Sequence, residues 1–171
     1  TRNLNRFWIM GEVKMKTYPR LENEDFFHLP LGMGGDGSVY TVRRKDDLVG
    51  KVFSREDDWM AEHEYDIAST LYSNGVSVPK PEGVYTLSLW GGLLHKPAFV
   101  MERIRVPRLD KILKKWMDYS RRQELNQKLD RELNKARDLG FILDDATAYN
   151  AFYSEEEDRI ILFDFARWGK A

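Results

Sequence analysis

The stretch Gly32-Met33-Gly34-Gly35-Asp36-Gly37-Ser38-Val39 restricts this chain more than any other. Glycines at 32, 34, 35 and 37 leave backbone amides unobstructed over a short span, as a loop that closes on phosphate oxygens requires. Glycine-rich turns between strands are common, so the context carries the weight. The run that follows, Ser38-Val39-Tyr40-Thr41-Val42, is β-branched and aromatic and predicts a strand. A dinucleotide-binding loop would open a helix at this point instead. Phe26 to Phe53 therefore reads as three short strands. The first runs into Gly32, the second covers 38–42, and the third is Leu48 to Phe53 after a charged turn from Arg43 to Asp47.

Beyond the third strand the apolar period changes. Met60, Tyr65 (or Glu64), Ile67, Ala68 and Leu71 recur at helical spacing and predict a helix over 57–73. Asn74-Gly75 is a left-handed stop, with prolines at 79 and 81. Two strands are expected around Gly83–Leu87 and Ala98–Ile104, joined through Trp90-Gly91-Gly92. After Pro107 two helical stripes follow. One is Leu109, Ile112, Leu113 and Trp116; the other is Leu125, Leu129, Leu133, Ala136 and Leu139, closed by Gly140. The end returns to strand as a hairpin, Ala151-Phe152-Tyr153 and Ile160-Ile161-Leu162-Phe163 around an acidic turn. The expected architecture is α+β: residues 25–104 strand-rich with one helix, a short connection near 103–107, and residues 105–171 mostly helical. Residues 1–24 lack a clear period and read as an N-terminal extension packed on the body.

Composition narrows the function classes. A chain of 171 residues buries about 70% of its unfolded surface, enough for a sizeable core. The net charge of −1 gives no reason to expect a nucleic-acid binder or a polybasic membrane-surface protein. No cysteine is present, which removes disulfides, thiolate metal sites and a cysteine nucleophile. No apolar run approaches the roughly 20 residues that span a bilayer, and no signal core follows Thr1-Arg2-Asn3. The expectation is a cytoplasmic domain without a membrane partner.

Five further positions carry chemistry. Lys51 lies within an apolar strand, where its charge needs a partner unless it sits at a sheet edge. Glu62 and Glu64 on the following helix are candidates, and Glu64 is preferred because it heads the run that ends Gly75-Val76-Ser77-Val78-Pro79. Asp145 and Asn150 are separated by four residues, and Asp164 lies between Phe163 and Phe165 at a strand end. Asp164 and Asn150 would supply oxygen ligands to magnesium, ATP phosphates completing the shell. Asp145 would orient an acceptor hydroxyl and take its proton.

Glycine loop, strand lysine, helix glutamate, D-x-x-x-x-N and D-F-x follow in the order of the protein kinase-like superfamily, which residues 26–166 resemble. The Glu64–Pro79 stretch resembles its small atypical branch, with RIO-type kinases, aminoglycoside phosphotransferases and lipopolysaccharide kinases. The resemblance implies a two-lobed fold, an antiparallel sheet N-lobe with one helix over a minimal helical C-lobe, with ATP and Mg2+ as ligands. It makes Lys51, Glu64 and Asp145 catalytic, and Asn150 and Asp164 the metal ligands. It places Gly32, Gly34, Gly35 and Gly37 over the phosphates, and Val39 and Val49 above the adenine with Phe152 below it. Met101, Glu102 and Ile104 become the interlobe hinge.

The chain departs from the family pattern at several points. H-R-D is replaced by Leu143-Asp144-Asp145, which argues against control by a phosphorylated activation loop. V-A-I-K is Leu48-Val49-Gly50-Lys51, Thr147 stands where serine/threonine kinases carry lysine, and D-F-G is Asp164-Phe165-Ala166. Few residues follow Ala166, so no activation segment or peptide platform is expected within the chain. The leading expectation is transfer of the γ-phosphoryl group to a protein hydroxyl, on another chain or on itself. A nucleotide-binding pseudokinase and a small-molecule kinase are the alternatives. His28, His63 and His95 show no metal-ligand spacing, and Lys111, Lys114, Lys115, Arg121 and Arg122 read first as a solvated face and second as a contact for nucleic acid or an anionic substrate.

Overall fold

A computed structural model describes residues 18–25, 30–34, 36–42, 45–53, 59–89 and 94–171. Gly35, His28 and the Trp90-Gly91-Gly92 junction lie outside them, as do residues 26–29, the expected start of the first strand. The chain is α+β. Six strands form one sheet: β1 (Arg20–Asp25), β2 (Gly32–Met33), β3 (Gly37–Val42), β4 (Lys45–Phe53), β5 (Pro81–Leu89) and β6 (Leu94–Glu102). Their order is β1-β5-β6-β4-β3-β2; every neighbouring pair is antiparallel except β1 with β5.

Three expectations change here. The segment taken as an extension contributes β1, which lines up along β5. Strand β4 starts at Lys45, so Asp46 and Asp47 belong to a strand and not to the charged turn. Strand β6 stops at Glu102, two residues early; the Arg103 N–H still reaches Asp47 O of β4 at 2.7 Å, and the chain leaves the sheet beyond it.

Strand alternation sorts the sheet into two faces. Val39, Thr41, Val49, Lys51, Phe99 and Met101 share one face through the pairs Val39↔Lys51↔Phe99 and Thr41↔Val49↔Met101. Val42, Val52, Ala98 and Val100 pack on the other with Tyr40, Leu48 and Tyr85. Helix α1 (Trp59–Ser73) buries Ala61, Glu64, Ile67, Ala68 and Leu71, a stripe at 3- and 4-residue spacing, and contacts β4, β5 and β6. Its end is set by Gly75, at φ +75°, which a side chain would strain.

The helical part holds α2 (Leu109–Leu113) and α3 (Tyr119–Asp138). The stripe predicted to include Trp116 ends at Leu113, and Trp116 is 97% exposed. The reason is local: Asp118 caps a new helix, its carboxylate accepting the Arg121 N–H at 2.7 Å, so the chain must leave one helix before starting the next. Leu125, Leu129, Leu133 and Ala136 of α3 face inward, and burial of each leucine contributes about 1.5–3 kcal/mol. Strands β8 (Ala151–Ser154) and β9 (Arg159–Leu162) form the expected hairpin, with Phe163 just beyond it. Sequence reading missed β7 (Phe141–Ile142) and β10 (Gly169–Lys170), which pair and return the end of the chain to Gly140. The main core joins α1, α3, β8 and β9 to Phe53 and Phe99 beneath the sheet. No described helix is long and apolar enough to cross a membrane.

Candidate functional site

Lys51 occupies the middle of the sheet, on β4 between β3 and β6, so the edge-strand reading fails. Its residue is 6% exposed, and its Nζ donates to Glu64 Oε2 at 2.7 Å and to Asp164 Oδ1 at 2.6 Å. Glu64 Oε1 accepts the Phe165 N–H at 3.1 Å. One buried glutamate therefore positions the lysine and the backbone that follows Asp164. Burial opposes the Lys51 ammonium, but Glu64 and Asp164 outweigh it and hold the pKa above the ordinary lysine value. Burial pushes the Glu64 carboxyl above its usual range, against the pull of Lys51. Glu62, the other candidate, lines a cavity of about 380 Å3 with Tyr18, Tyr65, Asp66, Gly83 and Val84. None of Lys51, Asp145, Asn150 or Asp164 borders that cavity.

The glycine stretch forms the end of the β2–β3 pairing, with Gly32 opposite Val39 and Met33 opposite Ser38. Gly34 N–H donates to Gly37 O at 2.9 Å and closes the turn. The glycines are needed for different reasons. A Cβ on Gly37 would stand 2.4 Å from Val52 O, so β3 could not pair with β4 as it does. A Cβ on Gly32 would meet nothing within 4 Å, and one on Gly34 only Gly37 O at 3.9 Å. Packing explains Gly37 and leaves Gly32 and Gly34 without a structural demand. Asp36 in this turn pairs with Arg167 at 3.3 Å, a tie that spacing did not suggest.

Asp145 and Asn150 meet across a short loop. Asn150 Nδ2 donates to the Asp145 backbone oxygen at 3.0 Å and to its Oδ2 at 3.2 Å. Thr147 caps the 3-10 turn Ala148–Asn150, its hydroxyl accepting the Tyr149 N–H at 3.3 Å. The Phe163 N–H donates to Asn150 O at 3.0 Å, so the hairpin's open end binds the Asp145 loop to the residue before Asp164. Phe152 stacks on Phe163 with ring centroids 4.2 Å apart. Asp145 and Asp164 both have left-handed backbones, φ 59° and 65°, conformations that aspartate tolerates and that concentrate at functional sites.

Val39, Val49 and Met101 share the sheet face of Lys51. Glu102 N–H is taken by Lys80 O at 2.9 Å, whereas Ile104 N–H has no partner among the described residues. Sequence reasoning missed the contribution of Phe165, whose backbone N–H orients Glu64; a main-chain donor has no residue-type signal. It also missed the packing of the last residues. His63 Nε2 donates to Trp168 O at 2.8 Å, and Trp168 meets the Phe165 ring edge-on at 4.9 Å.

Among the described residues no three His, Cys, Asp or Glu side chains converge as a metal cluster. Asn150 and Asp164 nonetheless fit a hard cation. The Asn150 amide nitrogen is spent on Asp145, which leaves its oxygen as the ligand atom. Asp164 gives one oxygen to Lys51, and the other accepts from no described residue. Two oxygen ligands suit magnesium when phosphate supplies others. No protein-family model matches this chain, and no curated protein matches it.

Proposed function

We propose that this chain is an ATP- and magnesium-dependent phosphotransferase of the protein kinase-like type. The observation that carries the reading is Lys51, shared between Glu64 and Asp164 beside a glycine-rich hairpin on the adjoining strand. Residues 25–104 form the N-lobe in this reading and 105–171 a minimal C-lobe, with β1 adding an edge from within the extension.

Each role follows from the site chemistry. Lys51 meets the α- and β-phosphates with an ammonium oriented by Glu64. The glycine loop formed by Gly32, Gly34, Gly35 and Gly37 lets the phosphates approach its backbone, and Val39, Val49 and Phe152 enclose the base. Ile104 offers its N–H to adenine, with Met101 and Glu102 beside it. Asn150 and Asp164 would hold magnesium, which when bound neutralises phosphate charge. Asp145, held by Asn150, accepts the acceptor hydroxyl proton. The acceptor oxygen bonds to the γ-phosphorus as the bond to the β–γ bridging oxygen breaks, and ADP leaves.

One observation favours a second reading, a nucleotide-binding pseudokinase. Thr147 spends its hydroxyl on the turn and brings no cation to the transferred group. Thermal stabilisation by ATP with magnesium, followed beside transfer from labelled ATP, separates the two. Stabilisation at 100 times the dissociation constant should reach about 2.7 kcal/mol. Asp145→Ala should keep that stabilisation and abolish transfer, whereas Asp164→Ala should lose the magnesium-dependent part. Stabilisation without transfer to any hydroxyl supports the pseudokinase, and no stabilisation at millimolar ATP sinks both.

A further inference from the structure

Tyr149 immediately precedes Asn150 and leaves 54% of its surface exposed. Two cations flank its ring: Lys114 Nζ lies 5.0 Å from the centroid and Arg108 Cζ 5.9 Å from it. Both are anchored from below by Asp110, which is 4% exposed. Asp110 accepts from Arg108 Nε at 2.9 Å, from Arg108 Nη2 at 3.2 Å and from Lys114 Nζ at 3.2 Å. Arg108 is also fixed through its backbone, by a bridge to Phe152.

The arrangement holds two cations against one carboxylate and leaves donors over. Arg108 retains N–H groups on Nη1, and Lys114 keeps donor capacity beyond its bonds to Asp110 and Tyr149, both beside a half-exposed ring. Lys111 and Lys115 are exposed and form no ion pair among the described residues. Tyr149 lies within the Asp145–Asn150 loop, so its contacts with Arg108 and Lys114 place the positive ledge beside that loop. We propose that Arg108, Lys114 and Tyr149, extended by Lys111 and Lys115, form an acceptor subsite for acidic residues flanking the hydroxyl of a protein substrate.

This inference rests on the phosphotransferase reading for its use of the word acceptor, but the binding it asserts does not require transfer. A peptide suits the ledge better than a nucleic acid. Asp144 and Asp145 are exposed in the neighbouring loop and repel a continuous phosphate backbone, whereas a peptide places its charges discretely.

The test uses two labelled peptides of equal length with one threonine, flanked by glutamates in one and by lysines in the other. Binding is read by fluorescence anisotropy at about 50 mM salt, where surface charges are weakly screened. Transfer from labelled ATP and stabilisation by ATP with magnesium are followed on the same preparations. The acidic peptide should bind about tenfold more tightly than the basic one and be the better acceptor by a similar factor. Lys114→Gln, and separately the exposed pair Lys111→Glu with Lys115→Glu, should each lower that ratio about threefold or more without changing stabilisation by ATP. The ratio is internal to each variant, so partial loss of folded protein cancels. Equal binding of the two peptides overturns the subsite. So does tight capture of a single-stranded oligonucleotide that the Lys111/Lys115 variant loses, with neither peptide competing. Acidic-peptide binding without stabilisation by ATP keeps the subsite and removes the phosphotransferase reading.

Discussion

Lys51 Nζ stands 2.7 Å from Glu64 Oε2, and these two side chains are only 7% and 1% exposed. The contact joins the centre of the sheet to helix α1, and through Glu64 Oε1 it reaches the Phe165 N–H. An ion pair this buried is a weak source of net stability, because desolvation offsets most of the attraction. What it does supply is position: Lys51 is aimed at Asp164 from a strand whose neighbours fix its height.

Removing one partner strands the other. Glu64→Gln or Lys51→Met should each destabilise the chain by about 3–5 kcal/mol in urea unfolding. The double variant should cost clearly less than the sum of the two, since no unpaired charge then remains on either side of that contact. Strict additivity across the cycle would mean that the two side chains act independently.

The glycine hairpin should separate folding from ligand binding. Gly37→Ala forces a Cβ against Val52 O and is expected to cost about 1–3 kcal/mol, whatever ligand is present. Gly34→Ala has room and should stay within about 0.5 kcal/mol of the parent in unfolding. Its effect should appear only as weaker stabilisation by ATP with magnesium. Gly34→Ala that melts like Gly37→Ala would show the loop to be merely structural.

Tyr153 ties α3 to the hairpin. Its hydroxyl, on a residue 1% exposed, donates to Asp158 Oδ1 and accepts from Arg121 Nη2, both at 2.6 Å. Tyr153→Phe keeps the packing and removes two bonds to charged groups, a loss of about 1.5–3 kcal/mol. The denaturation midpoint should fall with the slope unchanged, and a changed slope would point to a looser native or denatured state.

Asp110 sets part of the acid response. Burial opposes its charge, but hydrogen bonds from Arg108 and Lys114 outweigh that and hold its pKa below the ordinary aspartate value of 3.8. A folded-state value below the unfolded one gives a contribution complete above that ordinary value and lost as pH falls through the folded one. Stability should therefore decline below pH 3.8. Asp110→Asn should be less stable than the parent at neutral pH, with the gap closing in that acid window. A gap that stays constant with pH would exclude charge as the cause.

Short-range spacing and residue type carried much of this structure. The α1 stripe is visible as a period, and Gly75 and Gly140 mark helix ends because a left-handed backbone selects glycine. The hairpin at Ala151–Leu162 shows as two apolar runs around an acidic turn. Lys51 and Glu64 were suspect for the same reason: a charge inside an apolar pattern must find a partner.

Tertiary structure alone decided the rest. Whether Lys51 met Glu62 or Glu64 depended on which face of α1 was buried, and whether it lay at an edge or in the middle on which strands flanked β4. The union of β1 with β5 and of β7 with β10 depends on backbone pairing across long separations, which leaves little trace in side-chain pattern. Trp116 was misplaced because an apolar residue at the right spacing says nothing of where Asp118 will start a new helix. The carboxylates Asp145 and Asp164 could be picked out as residue types. Their orientation came from an amide at Asn150, an ammonium at Lys51 and a main-chain link at Phe163, contacts that exist only once the chain has folded.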